Sequence, residues 1–230
     1  MINKKAAISE IFSSVQGEGP YVGQRQIFVR FADCNLNCSY CDTPRNPRAP
    51  RLDVGGILAE IKKLNKRIKH ETISLTGGEP LLYAEFLKKL LPKLKKFKFK
   101  IYLETNATLP QELKKILRYV DIIASDIKLP SVTKDKACWS EHQDFLKIAR
   151  SKNNFVKVIV SNKLKTADFK KAVSLIKKID KRILLIIQPV TAEKRLCISI
   201  DKLYRLQFYA LRHIKTALII PQMHKFMGVR

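Results

Sequence analysis

Apolar, β-branched runs alternate with helix-period segments through most of this chain, and that alternation most constrains its fold. Residues 26–31, 72–75, 99–103, 120–124, 155–160, 183–187 and 216–220 read as strands. Between them, 54–69 reads as a helix with Ile57, Leu58, Ile61, Leu64 and Ile68 on one face. A second helix starts near Tyr83, with Pro92 expected to end or kink it. A third has Pro110 in its first turn and carries Leu113, Ile116 and Leu117. Helices over 141–150, 166–179 and 199–212 follow. Thr166 is expected to cap the second of these, with Asp168 in its first turn and Lys177 and Lys178 in its last. Six βα units imply a parallel sheet and are too few for a closed eight-stranded barrel. An open, incomplete barrel or a doubly wound sheet satisfies the pattern. Either puts ligands at the carboxyl ends of the strands.

Polar motifs fall at that edge. Cys34, Cys38 and Cys41 follow the first strand, spaced Cys-x3-Cys-x2-Cys, with no fourth cysteine or histidine nearby. Three thiolates on one short loop can hold three irons of a 4Fe-4S cluster and leave the fourth open to a substrate. A structural zinc site would need a fourth ligand, and His70, Cys138 and His142 lie far downstream. Thr76-Gly77-Gly78-Glu79-Pro80 follows the second strand, Glu104-Thr105-Asn106 the third, Ser125-Asp126-Ile127-Lys128 the fourth, and Gln188-Pro189 the strand at 183–187. No glycine occurs between Gly78 and Gly228, so the Gly77-Gly78 pair reads as a close approach of backbone to ligand.

The chain has 230 residues, 46% of them hydrophobic, enough to build one sizeable domain. No apolar run is long enough to span a membrane, and residues 1–10 contain no secretory h-region. Five cysteines, three of them clustered, point to a reducing cytoplasm rather than a disulfide framework. The net charge is +25, and residues 86–118 hold ten Lys or Arg against Glu104 and Glu112. A nucleic-acid surface is one reading of that excess. The lysines scatter through every helix without interleaved aromatics, so solvated helix faces are the favoured reading.

With the cysteines, the Gly-Gly-Glu-Pro segment resembles the radical S-adenosylmethionine (SAM) enzymes. Ser14-Val15-Gln16-Gly17-Glu18-Gly19, Phe28-Val29-Arg30, Cys41-Asp42-Thr43, Glu104-Thr105-Asn106, Ile187-Gln188-Pro189-Val190 and Pro221-Gln222-Met223-His224-Lys225 narrow the resemblance to the 7-carboxy-7-deazaguanine synthase family. The resemblance implies one radical SAM domain over 1–230, an incomplete TIM-like β/α barrel, with the cluster loop at 34–41. It implies conversion of 6-carboxy-5,6,7,8-tetrahydropterin to 7-carboxy-7-deazaguanine, by ring contraction with loss of ammonia, on the way to queuosine-type 7-deazapurines. SAM, held on the open iron, would be cleaved reductively to a 5'-deoxyadenosyl radical and later regenerated. Mg2+, a flavodoxin- or ferredoxin-type electron donor and a homodimer are further implications.

Carried over residue by residue, the resemblance gives the cluster to Cys34, Cys38 and Cys41. It gives SAM to Tyr40, Cys41, Asp42, Gly77, Gly78, Glu79, Thr105, Asn106, Ser125, Asp126, Lys128 and Gln188. Val15, Gln16, Gly17, Glu18, Arg30, Thr76 and His224 would bind the pterin, and Thr43 would ligate Mg2+. An amide edge suits Gln16, a carboxylate suits the two-donor fork of Arg30, and a hydroxyl is a hard ligand. Two features depart from the family pattern. Ala107 stands where a glycine usually follows Glu-Thr-Asn, and the 125–128 segment is one residue longer than in some members. Cys138 and Cys197 read as small buried hydrophobes. A glycyl-radical-enzyme activator is the alternative within the superfamily, and a basic RNA-binding protein with a structural metal site the alternative outside it.

Overall fold

The computed structural model describes residues 5–43 and 46–229; residues 1–4, which entered the reading of the N-terminus, lie outside it. In chain order the elements are β1 (Lys5–Val15), β2 (Arg25–Phe31), β3 (Arg51–Asp53), α1 (Val54–Arg67), β4 (Thr72–Gly77), α2 (Ala84–Lys96), β5 (Lys100–Thr105), α3 (Pro110–Ile116), β6 (Ile122–Ile127), α4 (Pro130–Thr133), α5 (Trp139–Ala149), β7 (Asn153–Val160), α6 (Thr166–Asp180), β8 (Leu184–Pro189), a small hairpin of β9 (Thr191–Ala192) and β10 (Arg195–Leu196), α7 (Ile200–Leu211), β11 (Ala217–Ile219) and α8 (Met223–Met227).

Nine strands form one sheet in the order β11-β8-β7-β6-β5-β4-β2-β1-β3. From β2 to β11 the strands are parallel and follow chain order without reversal. A doubly wound sheet must reverse its order at a switch point. Unreversed order with crossovers of one hand stacks the helices on a single face. This is the winding of a β/α barrel, left open between its edge strands β11 and β3.

The largest core lies between sheet and helices. Ile73, Leu75, Ile101, Leu103, Ile123, Val156, Val158, Leu185 and Ile187 pack there against Ile61, Leu87, Leu94, Phe145, Phe169 and Leu203, all at 1% exposure or less. The opposite, concave face holds a smaller cluster of Tyr102, Ile122, Ala124, Phe155 and Ile186. The β1–β2 loop plugs the concave side. Tyr21 meets Tyr102 edge-on at 5.6 Å, and the Phe155 ring lies so close to Gly19 that a methyl group there would sit 2.8 Å from it.

Several elements differ from the sequence expectation. β1 was not expected: Ser9, Glu10, Ser13 and Ser14 interrupt its apolar pattern, and its pairing with β2 makes it a strand. α2 runs through Pro92 to Lys96, because Leu87, Leu90, Leu91 and Leu94 are fully buried around it and outweigh one lost backbone bond. Thr166 is the first helical residue of α6 rather than its cap, and Lys165 takes the cap position without a side-chain bond. Asp168 accepts instead from the Ser131 amide, tying α6 to α4. The Gln222-Met223-His224-Lys225 segment leads into α8, which was also not expected.

Register sorts the strand residues by face. Arg30 pairs with Thr76, Glu104 with Ala124, Asp126 with Lys157, and Ile159 with Gln188. With side chains alternating along a strand, these residues share the concave face, one step out of phase with the apolar core positions.

Candidate active site

The concave face opens into a cavity of about 860 Å³, lined at one side by Cys34, Cys38 and Cys41 and at the other by Gln16, Glu18, Arg30 and Glu104. Its volume is at the upper end for small-molecule sites, enough for a cofactor and a substrate together.

The cluster loop is fastened to the end of β4 through backbone. Gly78 donates to the Phe31 carbonyl at 2.8 Å and Glu79 to the Asp33 carbonyl at 2.7 Å. A methyl group on Gly78 would sit 2.1 Å from the Asp33 carbonyl oxygen, and Gly77 has φ +105° with Phe31 oxygen 2.4 Å from any Cβ. The glycines therefore serve the joint between β2 and β4 as well as the cavity wall. Gly78→Ala is expected to lose about 3 kcal/mol of stability, since neither backbone can yield independently. Urea unfolding checks this, and an unchanged midpoint would show that the joint is loose.

The thiols fit a cluster. Burial raises the Cys34 thiol and lifts that of Cys38 to about 11, so both are protonated until a cation displaces the protons. Among the described residues no three His, Cys, Asp or Glu side chains are arranged to hold a single metal ion. A cluster presents a separate iron to each thiol and does not require that arrangement. His70 is occupied by Ser13 and Asn65, and Cys138 is buried outside the cavity lining.

Glu79 is fully buried beneath the cavity wall. Its carboxylate accepts from Leu81 N at 3.0 Å, Thr105 Oγ1 at 2.9 Å and Asn106 N at 2.7 Å. Burial nevertheless raises its pKa to about 7. The next residue but one beyond Thr105 is Ala107, left-handed at φ +55° and fully buried. The turn thus tolerates a Cβ, at a cost of roughly 1–2 kcal/mol. Two bonds hold it. The Ala107 amide donates to Thr105 Oγ1, and its carbonyl accepts from His142 Nδ1 at 3.1 Å. His142 Nε2 in turn accepts from the Lys128 amide at 3.1 Å, which requires a neutral ring. Burial lowers the His142 pKa to about 4, consistent with that tautomer.

A ladder of alternating charge crosses the concave face. Lys128 Nζ lies 2.9 Å from Asp126 Oδ2 and 5.5 Å from the Tyr40 ring centroid. Lys157 Nζ lies 3.6 Å from the same Asp126 oxygen and is paired closely with Glu18. Burial alone would raise the Glu18 pKa; the Lys157 ammonium overrides it and holds the carboxyl at about 2. Asp126 Oδ1 is buried without a partner. Gln188 is wholly buried with both amide atoms unpartnered. Of the two, Asp126 lines the cavity, and its orphaned acceptor suits a hydroxylated ligand.

Gln16 donates to Glu104 at 2.8 Å and accepts from the Glu18 amide. Thr76 Oγ1 donates to the other Glu104 oxygen at 2.7 Å. Arg30 already has an anionic neighbour on the adjacent strand. Its Nε is 3.3 Å from Glu10, which β1 places opposite it, and its guanidinium lies over Phe12. The C-terminal segment closes this side. Met223 N donates to Gly17 O, and a methyl group on Gly17 would meet His224 at 2.5 Å. Gln222 Nε2 donates to both Glu18 and Asp42 at 3.0 Å, and Lys225 pairs with Asp42.

The cavity thus gathers Val15, Gln16, Gly17, Glu18, Arg30, Thr76 and His224, together with Tyr40, Cys41, Asp42, Thr43, Gly77, Gly78, Thr105, Asn106, Asp126 and Lys128. Glu79, Ser125 and Gln188 do not line it. Ser125 is out of phase: it sits on the helix side of β6, where its hydroxyl bonds Asn154 at 2.6 Å. Glu104, Lys157 and Gln222 line the cavity and were not among the expected ligands.

Residues 29–187 match the Radical SAM superfamily, so the chain is a radical SAM enzyme, the class that its winding and cysteine loop define. A 7-carboxy-7-deazaguanine synthase from Geobacter sulfurreducens is 38% identical over 244 residues, covering 97% of each chain. Another from Methanothermobacter thermautotrophicus is 36% identical over 252 residues and covers both chains completely. The chain belongs to the 7-carboxy-7-deazaguanine synthase family. In fold it is similar to QueE from Escherichia coli, with a TM-score of 0.66 over 94% of each chain at 18% identity. Neither a glycyl-radical-enzyme activator nor an RNA-binding protein is favoured by these likenesses. The superfamily implies a 4Fe-4S cluster and SAM.

Proposed function

We propose that this chain converts 6-carboxy-5,6,7,8-tetrahydropterin to 7-carboxy-7-deazaguanine in one domain. The observation that carries the reading is the single cavity joining three cysteines to an array of Gln16, Glu18, Arg30, Thr76 and Glu104. When bound, the cluster and SAM supply reversible hydrogen-atom abstraction at the pterin ring. Cys34, Cys38 and Cys41 would hold three irons. The Gly77–Gly78 backbone and Asn106 would face the methionine part of SAM, and Asp126 and Lys128 its ribose. Glu18 and Glu104, as carboxylates, would accept from the N–H groups of the pterin edge, while Gln16 holds Glu104 in place. Arg30, already steered by Glu10, would meet the substrate carboxylate with its fork. His224 lies on the same side, against Gly17.

Thr43 follows the cluster loop and lines the cavity, which supports it as a ligand for Mg2+ alongside substrate oxygens. Thr43→Val keeps the shape and removes the oxygen. It is expected to abolish stimulation by Mg2+ and leave SAM affinity unchanged; equal Mg2+ dependence in both proteins would refute the assignment.

No helix among the described residues is long and apolar enough to cross a membrane, and we read the enzyme as cytoplasmic, supplied by a flavodoxin- or ferredoxin-type donor. Ile200, Tyr204, Phe208 and Leu211 form an exposed stripe on α7, which supports a homodimer. Turnover decides the reading. The anaerobically reconstituted protein, given the carboxytetrahydropterin, SAM, Mg2+ and a reductant, is expected to form the deazaguanine and release ammonia. SAM cleavage with no deazaguanine would overturn the proposal.

A further inference from the structure

Lys157 lines the cavity from the concave face, in register with Asp126. It projects from β7, the strand that pairs with β6. Its ammonium pairs with Glu18 from the β1–β2 loop and lies 3.6 Å from Asp126 of β6. All three side chains are nearly sealed, with 12%, 18% and 11% of their surface exposed. Asp126 has a second cation in Lys128, at 2.9 Å. Among the described residues Glu18 has no second ion-pair partner at that range; the other contact of its carboxylate is the neutral amide of Gln222. Removing Lys157 therefore leaves one of these two buried carboxylates without a contacting cation. That carboxylate is Glu18, the one not held by Lys128.

We propose that Lys157 is a positioning residue that keeps Glu18 ionised and aimed into the cavity, so that Glu18 can accept hydrogen bonds from the N–H edge of a pterin. The inference rests on the functional reading above and assigns to Lys157 a role acting through Glu18. Several other groups face Glu18. His224 from the C-terminal segment and Tyr102 on β5 act on it directly, Asp42 through the shared Gln222, and Glu104 on β5 and Asp126 on β6 through Lys157. Of the cations among the described residues, only Lys157 touches it. Without Lys157, burial is left as the dominant influence on Glu18 and shifts it toward the protonated form. A protonated Glu18 loses acceptor capacity toward an N–H edge.

The test is equilibrium dialysis of the carboxytetrahydropterin against the reconstituted protein with SAM and Mg2+ and without reductant, so that nothing turns over. Affinity is measured from pH 6 to pH 8.5 for wild type, Lys157→Met, Lys157→Arg, Glu18→Gln and the double variant Lys157→Met with Glu18→Gln. The ratio of variant to wild-type Kd removes the titration of the pterin itself. For Lys157→Met that ratio is expected to be about tenfold or more at pH 6 and to fall toward one by pH 8.5, because burial raises a carboxyl that has lost its cation. Lys157→Arg restores the charge and should give a flat ratio. Glu18→Gln and the double variant should also be flat, which separates Glu18 from His224 as the titrating group. A pH-independent ratio for Lys157→Met, or pH dependence that survives in the double variant, would overturn the role of Lys157. Should Lys157→Met fail to fold, Lys157→Gln carries the same comparison. Failure of the wild type to bind the pterin at any pH would overturn the functional reading instead.

Discussion

Alanine at Cys34, Cys38 or Cys41 is expected to remove the iron–sulfur absorption and SAM cleavage together, both falling to background. The three thiols line one cavity wall, and none has a substitute: His142 is committed to Ala107 and Lys128, and His70 to Ser13 and Asn65. Two thiolates cannot take the place of three on a cubic cluster whose fourth iron must stay open. Cys138→Ala and Cys197→Ala are expected to keep full iron content, since neither lines the cavity. Iron and sulfide analysis after anaerobic reconstitution, beside an assay for SAM cleavage, reads both results. A triple variant that still cleaved SAM would contradict the assignment.

Glu79 and His142 should give the protein opposite responses to acid. Glu79 has its pKa raised by burial to about 7, against a reference of 4.5. The folded protein therefore takes up this proton before the unfolded chain does, and stability rises as pH falls from 7 to 4.5. His142 is lowered by burial to about 4, against 6.5. Here the unfolded chain takes up the proton first, and stability falls as pH drops from 6.5 toward 4. Each contribution amounts to about 3 kcal/mol across its window. Between pH 6.5 and 4.5 these two contributions nearly cancel. Glu18, held at about 2, adds its own loss only below pH 4.5. Glu79→Gln should unmask the histidine and lose about 3 kcal/mol on acidification, while His142→Gln should gain about as much. Urea unfolding of the metal-free chain at several pH values gives these slopes even where a variant is weaker overall. Parallel pH profiles for both variants and wild type would contradict the buried, uncharged states assigned to this pair.

The parallel core was legible because its strands are buried on both faces and read as continuous apolar runs. Residues 183–187, Ile-Leu-Leu-Ile-Ile, are an example, and Leu185, Ile186 and Ile187 are wholly buried. β1 was not legible, since three serines and Glu10 in eleven residues break the pattern and only pairing with β2 defines it. α8 is five residues long, too short for periodicity to register. Within the site, motifs located the strand ends, but a motif does not say which face a residue takes. Two-residue alternation would have put Ser125 and Asp126 on opposite faces, and the structure leaves only Asp126 at the cavity. Lys157 carried a usable signal, a lone charge inside the apolar run from Phe155 to Val160. The pairing of Arg30 with Glu10 had none, because Glu10 stands on the strand that the sequence concealed.

The most direct test of the account is an anaerobic crystal structure of the reconstituted protein with SAM, Mg2+ and the carboxytetrahydropterin. The account predicts the cluster on Cys34, Cys38 and Cys41 and SAM along Gly77, Gly78 and Asp126. It predicts the pterin edge at Glu18 and Glu104, with the substrate carboxylate on the side of Arg30. A pterin bound outside this cavity, or one inside it that touches neither Glu18 nor Glu104, would contradict it.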